Sequence, residues 1–207
     1  MKFLLLPLPL VLVAIALPVL AIDLLPQGHG LRYSGHEDGT PVRVEITLRE
    51  RADGDLDYVR WETPTGWRGW LGEPTVTRVR LRYADEHLEL SGVVENGEFR
   101  PLDLVPGTLD SLGIRLRVRA DLARGTERAS YQVWHAGELE TWTLQVAGRE
   151  RVDTPDGTYD ALRFRLGTDS DWIEGWSVPL LIFHFAKLER WEDGRKVTEL
   201  ALEDKEL

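Results

Sequence analysis

The 207-residue sequence contains no cysteine. A chain without thiols cannot form disulfide bonds, build a thiolate zinc site or carry the lipid-modified cysteine of a bacterial lipoprotein. The folded state must therefore be held together by a noncovalent core.

Positive charge is also in short supply, since 25 lysines and arginines stand against 35 aspartates and glutamates, giving a formal net charge of −10. Proteins that bind a phosphate backbone need a positive footprint, so we expect no nucleic-acid partner. The sequence has no G-x-S-x-G nucleophile elbow, Walker loop, dinucleotide fingerprint or H-E-x-x-H motif. We therefore predict no catalytic residue, no metal and no cofactor.

The first 21 residues, MKFLLLPLPLVLVAIALPVLA, carry a single charge at Lys2 and then run apolar to Ala21. This arrangement is typical of a signal peptide. The run is long enough for an uncleaved membrane anchor as well, although its three prolines disfavour a straight helix. We predict cleavage after Ala21, export to the periplasm or the medium, and one β-rich domain over residues 22–207. Membrane contact would then arise only through an uncleaved leader.

Turn signals recur along the rest of the chain, because glycine after Asp, Asn or Ala suits the positive φ of tight hairpins. Between them, apolar and polar residues alternate, as in VRVEITL (42–48) and TRVRLRY (77–83). Such alternation is typical of half-buried antiparallel strands. We predict a mainly β fold, an antiparallel meander curved into a partly open barrel or sandwich. The turn signals are Asp38-Gly39, Asp53-Gly54, Asn96-Gly97, Ala136-Gly137, Ala147-Gly148, Asp156-Gly157 and Asp193-Gly194.

One segment, TLDSLGIRLRVRADLARG (108–125), fits the period of a strand and the period of a helix. Thr108 is a suitable N-cap and Gly125 lies just beyond the last apolar position, which favours a helix. Gly113 disfavours it by about 1 kcal/mol relative to alanine. We predict one helix, packed on one face of the sheet.

The most legible short stretch is RVDTPDGTYDALRF (151–164), which combines three aspartates with a Pro-Asp-Gly turn. We predict a hairpin tip with a three-residue loop between Thr154 and Thr158. In that register Asp153 and Asp160 lie on opposite faces, so they do not form a proton-sharing pair. The stretch therefore predicts a turn and no catalytic site.

This hairpin, the downstream Trp176 and the closing AKLERWEDGRKVTELAL resemble an exported bacterial family, domain of unknown function 3108. The segments GEFRPLDL and LDSLGIRLRVRADL extend the resemblance upstream, and Phe185 departs from it where the family pattern has proline. The shared motifs concern turns and packing. The resemblance implies a β-rich, partly open barrel in the envelope of Gram-negative bacteria and says nothing about activity.

The histidines offer the strongest case for chemistry. His29 and His36 lie in a polar stretch beside two carboxylates and could serve a hydrolase if they converged with other polar groups in one cleft. His184, within LLIFHFA, is interpreted as a hydrogen-bonded core residue. An enzyme is therefore the least favoured hypothesis.

Tryptophan is in excess, with eight residues that fall mainly in two predicted loops. Aromatic side chains usually fill cores, but loops at the rim of a curved sheet can also close over an apolar hollow. We predict a non-enzymatic protein that binds a hydrophobic small molecule in an apolar cavity. The alternative is a structural domain with a filled core that binds another envelope protein, for example through residues 180–182. The candidate ligand-binding residues are Trp61, Trp67, Trp70, Trp172, Trp176, Phe183 and Phe185.

Overall fold

The computed structural model describes residues 30–66, 73–84, 87–95 and 98–206. The predicted leader, His29, Trp67, Trp70 and the Asn96-Gly97 turn lie outside these residues. The described chain forms β1 Gly30–Glu37, β2 Thr40–Glu50, β3 Leu56–Pro64, β4 Thr75–Ala84, β5 His87–Glu95, β6 Glu98–Pro101, β7 Leu109–Asp110, α1 Gly113–Ala123, β8 Arg128–His135, β9 Glu138–Thr154, β10 Gly157–Gly167, β11 Asp171–Val178, a 3-10 turn Pro179–Leu181, β12 His184–Glu192 and β13 Arg195–Glu206.

The strands form one sheet in the order β6-β5-β4-β3-β2-β1-β13-β12-β11-β10-β9-β8-β7. Two antiparallel meanders meet where β1 pairs with β13, and among the described strands only the short β7 pairs in parallel, with β8. Within the described residues the sheet does not close into a barrel. It is nevertheless strongly curved, because the amide of Leu90 in β5 donates to the carbonyl of Thr108 just before β7 (2.7 Å). The predicted curved antiparallel fold with one helix is therefore confirmed.

The two faces of the sheet differ as the alternation predicts. Val44, Leu144, Phe164 and Leu202 point inward and are fully buried. The outer face carries ion pairs between strands: Arg163 in β10 pairs with Glu174 in the adjacent β11, and Arg43 in β2 pairs with Glu203 in β13, across the intervening β1. The core therefore lies inside the curve of the sheet.

Helix α1 confirms the predicted helix but begins later than predicted. It starts at Gly113, because Leu109–Asp110 first forms β7, and the prediction of Thr108 as N-cap is wrong. The Asp110 carboxylate instead accepts hydrogen bonds from the backbone amides of Leu112 (3.1 Å) and Gly113 (2.7 Å). Amides at the start of a helix have no acceptor within the helix, so Asp110 acts as the cap.

Gly113 lies at the start of α1, where close packing explains it better than helix propensity does. A Cβ atom there would lie 2.8 Å from Leu81 Cδ2 and 2.9 Å from the capping Asp110 Oδ1. Glycine therefore lets the first turn of the helix approach the sheet.

The helix is buried around most of its circumference, since its buried residues include Ile114, Leu116, Val118, Ala120 and Leu122. Apolar residues on several sides of the helix contact the inside of the curved sheet. For this reason the apolar positions of the segment fit the period of a strand as well as that of a helix. Within the described part of the chain, no helix combines the length and the apolar character needed to cross a membrane.

The hairpin between β9 and β10 is confirmed, but its predicted register is wrong. Thr154 pairs with Gly157, which leaves the two-residue loop Pro155 and Asp156. The hydroxyl of Thr154 closes this loop through bonds to the amide (3.2 Å) and the carbonyl (2.9 Å) of Gly157. The loop is therefore one residue shorter than the three-residue loop predicted from the turn residues.

The register change alters which side chains share a face, because a one-residue slip reverses them. Asp153 lies opposite Thr158 and accepts a hydrogen bond from the Thr158 hydroxyl (2.6 Å). Asp153 and Asp160 therefore share a face, contrary to the prediction. The predicted turn at Ala147-Gly148 is also wrong, since both residues lie within β9.

Candidate functional site

Two adjoining cavities lie between α1 and the inner face of the sheet. The first, which we call the apolar cavity, has a volume of about 40 Å³. Strand alternation directs one side chain in two from β1 and β2 toward it, and α1 covers it. Its lining consists of Leu31, Tyr33, Ile46, Leu48, Tyr58, Arg115, Leu116, Arg119, His184, Phe185 and Leu188.

The second, which we call the polar cavity, is larger, at about 130 Å³. Arg115 and Leu188 line both spaces, so the two cavities meet at these side chains. The lining of the polar cavity consists of Glu37, Arg60, Thr77, Ser111, Leu112, Arg115, Ile173, Leu188, Glu189, Arg190, Thr198 and Leu200.

Three polar side chains of the apolar cavity bind the protein itself. Arg119 Nη2 donates to the carbonyl of Ile182 (3.0 Å) and lies 2.9 Å from His184 Nε2. The Tyr33 hydroxyl donates to the carbonyl of Phe185 (2.9 Å). Burial lowers the pKa of Arg119 to about 10 and raises the pKa of Tyr33. These bonds fasten α1 and β1 to the β11–β12 connection, and the interpretation of His184 as a hydrogen-bonded core residue is confirmed.

Glu37 and Arg60, which line the polar cavity, form a compact group with the adjoining carboxyl of Glu62. Arg60 donates to Glu37 (2.7 Å) and to Glu62 (2.6 Å). Although burial opposes its ionisation, hydrogen bonds with Glu62 and Arg60 hold the pKa of Glu37 below its usual value, whereas burial and the neighbouring Glu37 raise that of Glu62. At acidic pH a proton therefore resides on Glu62, and the remaining carboxylate charge is balanced by Arg60.

Arg115 lines both cavities. Its Nε and Nη1 atoms are buried and have no hydrogen-bond partner among the described residues. Burial lowers the pKa of Arg115, and the nearby Arg60 acts in the same direction. An arginine remains charged at neutral pH even so, which places a cation at the junction of the two cavities.

Phe185 is the predicted ligand-binding residue that the structure brings to the apolar cavity, where its ring lies 5.1 Å from that of Phe164. Phe183 is half-buried beside the core. Trp61 lies on the side of β3 opposite Tyr58 and Arg60 and therefore faces away from both cavities. Trp67 and Trp70 lie outside the described residues.

Trp172 and Trp176 lie on the side of β11 opposite Ile173, so they also face away from the cavities. Trp172 stacks on Trp191 with ring centroids 5.8 Å apart, and Arg165 lies 4.1 Å from the Trp172 centroid. The indole of Trp176 donates to Glu150. These tryptophans form part of the outer face of the sheet, and their role in binding stays a prediction.

The described histidines are dispersed. His36 is exposed on β1, His184 is buried at the apolar cavity, and His135 lies beside Asp171 (3.3 Å). Nowhere in the described ranges do three or more His, Cys, Asp or Glu side chains form a group that could hold a metal ion.

Sequence reasoning missed Arg115 and Arg119, the two arginines that α1 contributes to the cavities. The prediction of a helix packed on one face of the sheet gave neither of them a role in a site. The missed signal is that residues 108–125 are apolar at both periods, so a helix there has little exposed surface for its arginines.

Comparison with known proteins places the chain near one family. The profile of DUF3108, described as a protein of unknown function, matches residues 74–180. No curated protein matches the sequence.

Several solved structures are similar over most of this chain. A candidate lipoprotein from Parabacteroides distasonis ATCC 8503 has a TM-score of 0.43 at 11% identity, over 88% of this chain and 98% of that one. The hypothetical protein CT021 from Chlamydia trachomatis has a TM-score of 0.44 at 9% identity, over 90% of both chains. MucB in the Pseudomonas aeruginosa MucA/MucB complex has a TM-score of 0.41 at 11% identity, and the match covers 90% of this chain and 54% of that one. No functional statement follows from likenesses this remote.

Proposed function

The chain belongs to the DUF3108 family of proteins of unknown function, and we propose that it is an exported envelope protein that binds a hydrophobic or lipid-like molecule without catalysis. The observation that carries this proposal is the apolar cavity under α1, where five aliphatic side chains from three strands and the helix surround one space. These are Leu31, Ile46, Leu48, Leu116 and Leu188. Apolar hollows of this kind are the usual sites of small-molecule binding.

The size of the cavity sets a condition on binding. At about 40 Å³ it has room for only a few water-sized groups. A hydrocarbon chain therefore enters only if α1 moves away from the inner face of β1 and β2. Each Å² of apolar surface that the ligand then removes from water contributes about 25 cal/mol, before the losses of association.

The basis for proposing export is the signal-peptide-like sequence of residues 1–21. Cleavage after Ala21 would leave a mature domain of residues 22–207. The formal net charge of −10 suits a soluble exported protein and argues against nucleic acid as a ligand.

Binding can be tested by native mass spectrometry of the purified exported protein, incubated with an envelope lipid extract. We expect a bound lipid-sized mass and a change in tryptophan fluorescence. Leu48→Trp, which places a larger side chain in the apolar cavity, should lower the bound fraction. Arg49→Trp, at the exposed neighbouring position, is the matched control. An unliganded protein with unchanged fluorescence would contradict the proposal.

A second candidate function, binding of another envelope protein, is favoured by the β11–β12 connection. Leu180 is 84% exposed and Ile182 36% exposed, next to a cluster of buried aromatic residues. Exposed apolar side chains that lie together are typical of interaction sites. Affinity purification from envelope extract should recover one specific protein with the parent and lose it with Leu180→Asp.

A further inference from the structure

Two nitrogens of the Arg115 guanidinium, Nε and Nη1, are buried and have no hydrogen-bond partner among the residues that the structure describes, although the residue as a whole is half-buried. A buried donor without an acceptor is destabilising, and a charged donor more so. Such a group is rare in folded proteins unless water, an ion or a ligand satisfies it. The side chain is not at an edge of the fold, because it extends from the middle of α1 between Ile114 and Leu116, which are both buried.

The other charged residues that line the polar cavity have partners within the protein. Arg60 is bound by Glu37 and Glu62. Arg190 contacts Asp171 (2.9 Å) and Glu192 (3.0 Å). These ion pairs compensate the charges of Arg60 and Arg190 but not that of Arg115, the third arginine of this lining.

Glu189, the remaining carboxylate of this lining, is compensated too. It lies 2.7 Å from Lys187 and 3.3 Å from Lys196. With Glu37 and Glu189 both engaged, the polar cavity presents a net positive charge at Arg115.

The position of Arg115 indicates what kind of anion fits. On one side lies the polar cavity, whose 130 Å³ has room for on the order of ten water-sized groups. On the other side lies the apolar cavity. We propose that Arg115 binds the oxyanion head group, a carboxylate or phosphate, of an amphiphile whose hydrocarbon chain lies in the apolar cavity. This inference rests on the proposed function and adds the charge class of the ligand.

Guanidinium groups suit this task because they hydrogen-bond strongly to carboxylate and phosphate oxygens. A hydrogen bond to a charged group contributes about 1.5–3 kcal/mol, which corresponds to roughly ten- to a hundredfold in affinity. An uncharged amphiphile of the same chain length would lack this contribution and would leave Arg115 unsatisfied.

The test compares oleate with oleyl alcohol, which has the same chain and no charge, and adds acetate and inorganic phosphate as anions without a chain. Affinities are measured by displacement of a fluorescent fatty-acid analogue for the parent and for three variants. Arg115→Met removes the charge, Arg115→Lys keeps it, and Arg117→Met removes an equal charge from a more exposed position of the same helix. Thermal melting of each variant is recorded first.

We expect oleate to bind about ten- to a hundredfold more tightly than oleyl alcohol to the parent and to Arg117→Met. Arg115→Met should abolish this preference while leaving the alcohol bound, and Arg115→Lys should retain most of it. Because a buried charge without a partner is destabilising, Arg115→Met should melt at a higher temperature than the parent.

The outcomes separate the two proposals. Equal binding of oleate and oleyl alcohol would overturn the anion inference and leave the proposed function intact. Acetate or phosphate binding as tightly as oleate would overturn the assignment to an amphiphile. Failure of both long-chain probes to bind would overturn the proposed function and this inference together.

Discussion

Gly175 in β11 determines how closely Phe164 can pack, and Gly175→Ala should destabilise the protein. A Cβ atom at this position would lie 2.2 Å from Cζ and 2.6 Å from Cε1 of Phe164. The ring cannot move aside freely, because it is 1% exposed and packs against Phe185 at the wall of the apolar cavity. The new methyl group therefore forces the ring, the strand or both to shift.

The magnitude follows from two opposing effects. Adding a methyl group to a well-packed core costs about 1–3 kcal/mol, and contacts this far below 3.0 Å place the cost in the upper part of that range, at about 2–3 kcal/mol. Alanine in place of glycine returns about 0.4–1 kcal/mol through the lower entropy of the unfolded chain. We expect a net loss of about 1–2 kcal/mol in the free energy of unfolding. For a domain of this size that lowers the melting temperature by roughly 2–8 °C.

Urea denaturation followed by tryptophan fluorescence measures this loss, and a double-mutant cycle identifies its cause. In a Phe164→Leu background, the smaller side chain leaves room for the methyl group, so Gly175→Ala should cost at least about 0.5 kcal/mol less. An equal cost in both backgrounds, or a Gly175→Ala variant as stable as the parent, would refute the reasoning.

Three further predictions concern the cap, the hairpin tip and the surface. Asp110→Ala removes the cap of α1 and should lower the free energy of unfolding by about 0.5–2 kcal/mol, measured by urea denaturation, whereas Asp110→Asn should lose less. Burial opposes the ionisation of Asp156, but bonds from Lys205 and Tyr159 hold its pKa below the usual value. The stabilisation is therefore present above about pH 4 and is lost as the pH falls through the lowered pKa, so acid titration of Asp156→Asn should show its deficit at pH 7 and little deficit at the acid end. Leu180→Asp should change the melting temperature by less than about 2 °C because the side chain is largely exposed.

The turns could be predicted from sequence because they depend on neighbouring residues alone. Asp38-Gly39, Ala136-Gly137 and Asp193-Gly194 all connect adjacent strands with positive φ at both residues. Ala147-Gly148 has similar residues and lies within a strand, where Gly148 takes a φ of 141° next to a register shift in the pairing with β10. A glycine signal therefore marks unusual backbone but does not distinguish a turn from a bulge.

The site could not be predicted in the same way because it depends on which face of each strand turns inward. Trp61, Trp172 and Trp176 were grouped by composition, yet alternation directs them away from the interior that Phe185 reaches. The position of Arg115 depends on a further nonlocal fact, that the sheet encloses α1 on several sides. Periodicity alone left the helix with one buried face and gave no reason to expect a buried cation.

The sequence led to two hypotheses, an apolar cavity or a filled core, and the structure has features of both. Helix α1 occupies most of the interior, and two cavities remain beside it. A ligand under α1 competes with the helix for the same apolar surface, so ligand binding and helix docking are thermodynamically linked. Arg115 belongs to the helix, and it is left unsatisfied when the helix is docked without a ligand. The docked helix therefore carries a destabilising cation, and an anionic ligand would recover part of that free energy. For this reason the higher stability of Arg115→Met and its loss of anion preference should appear together.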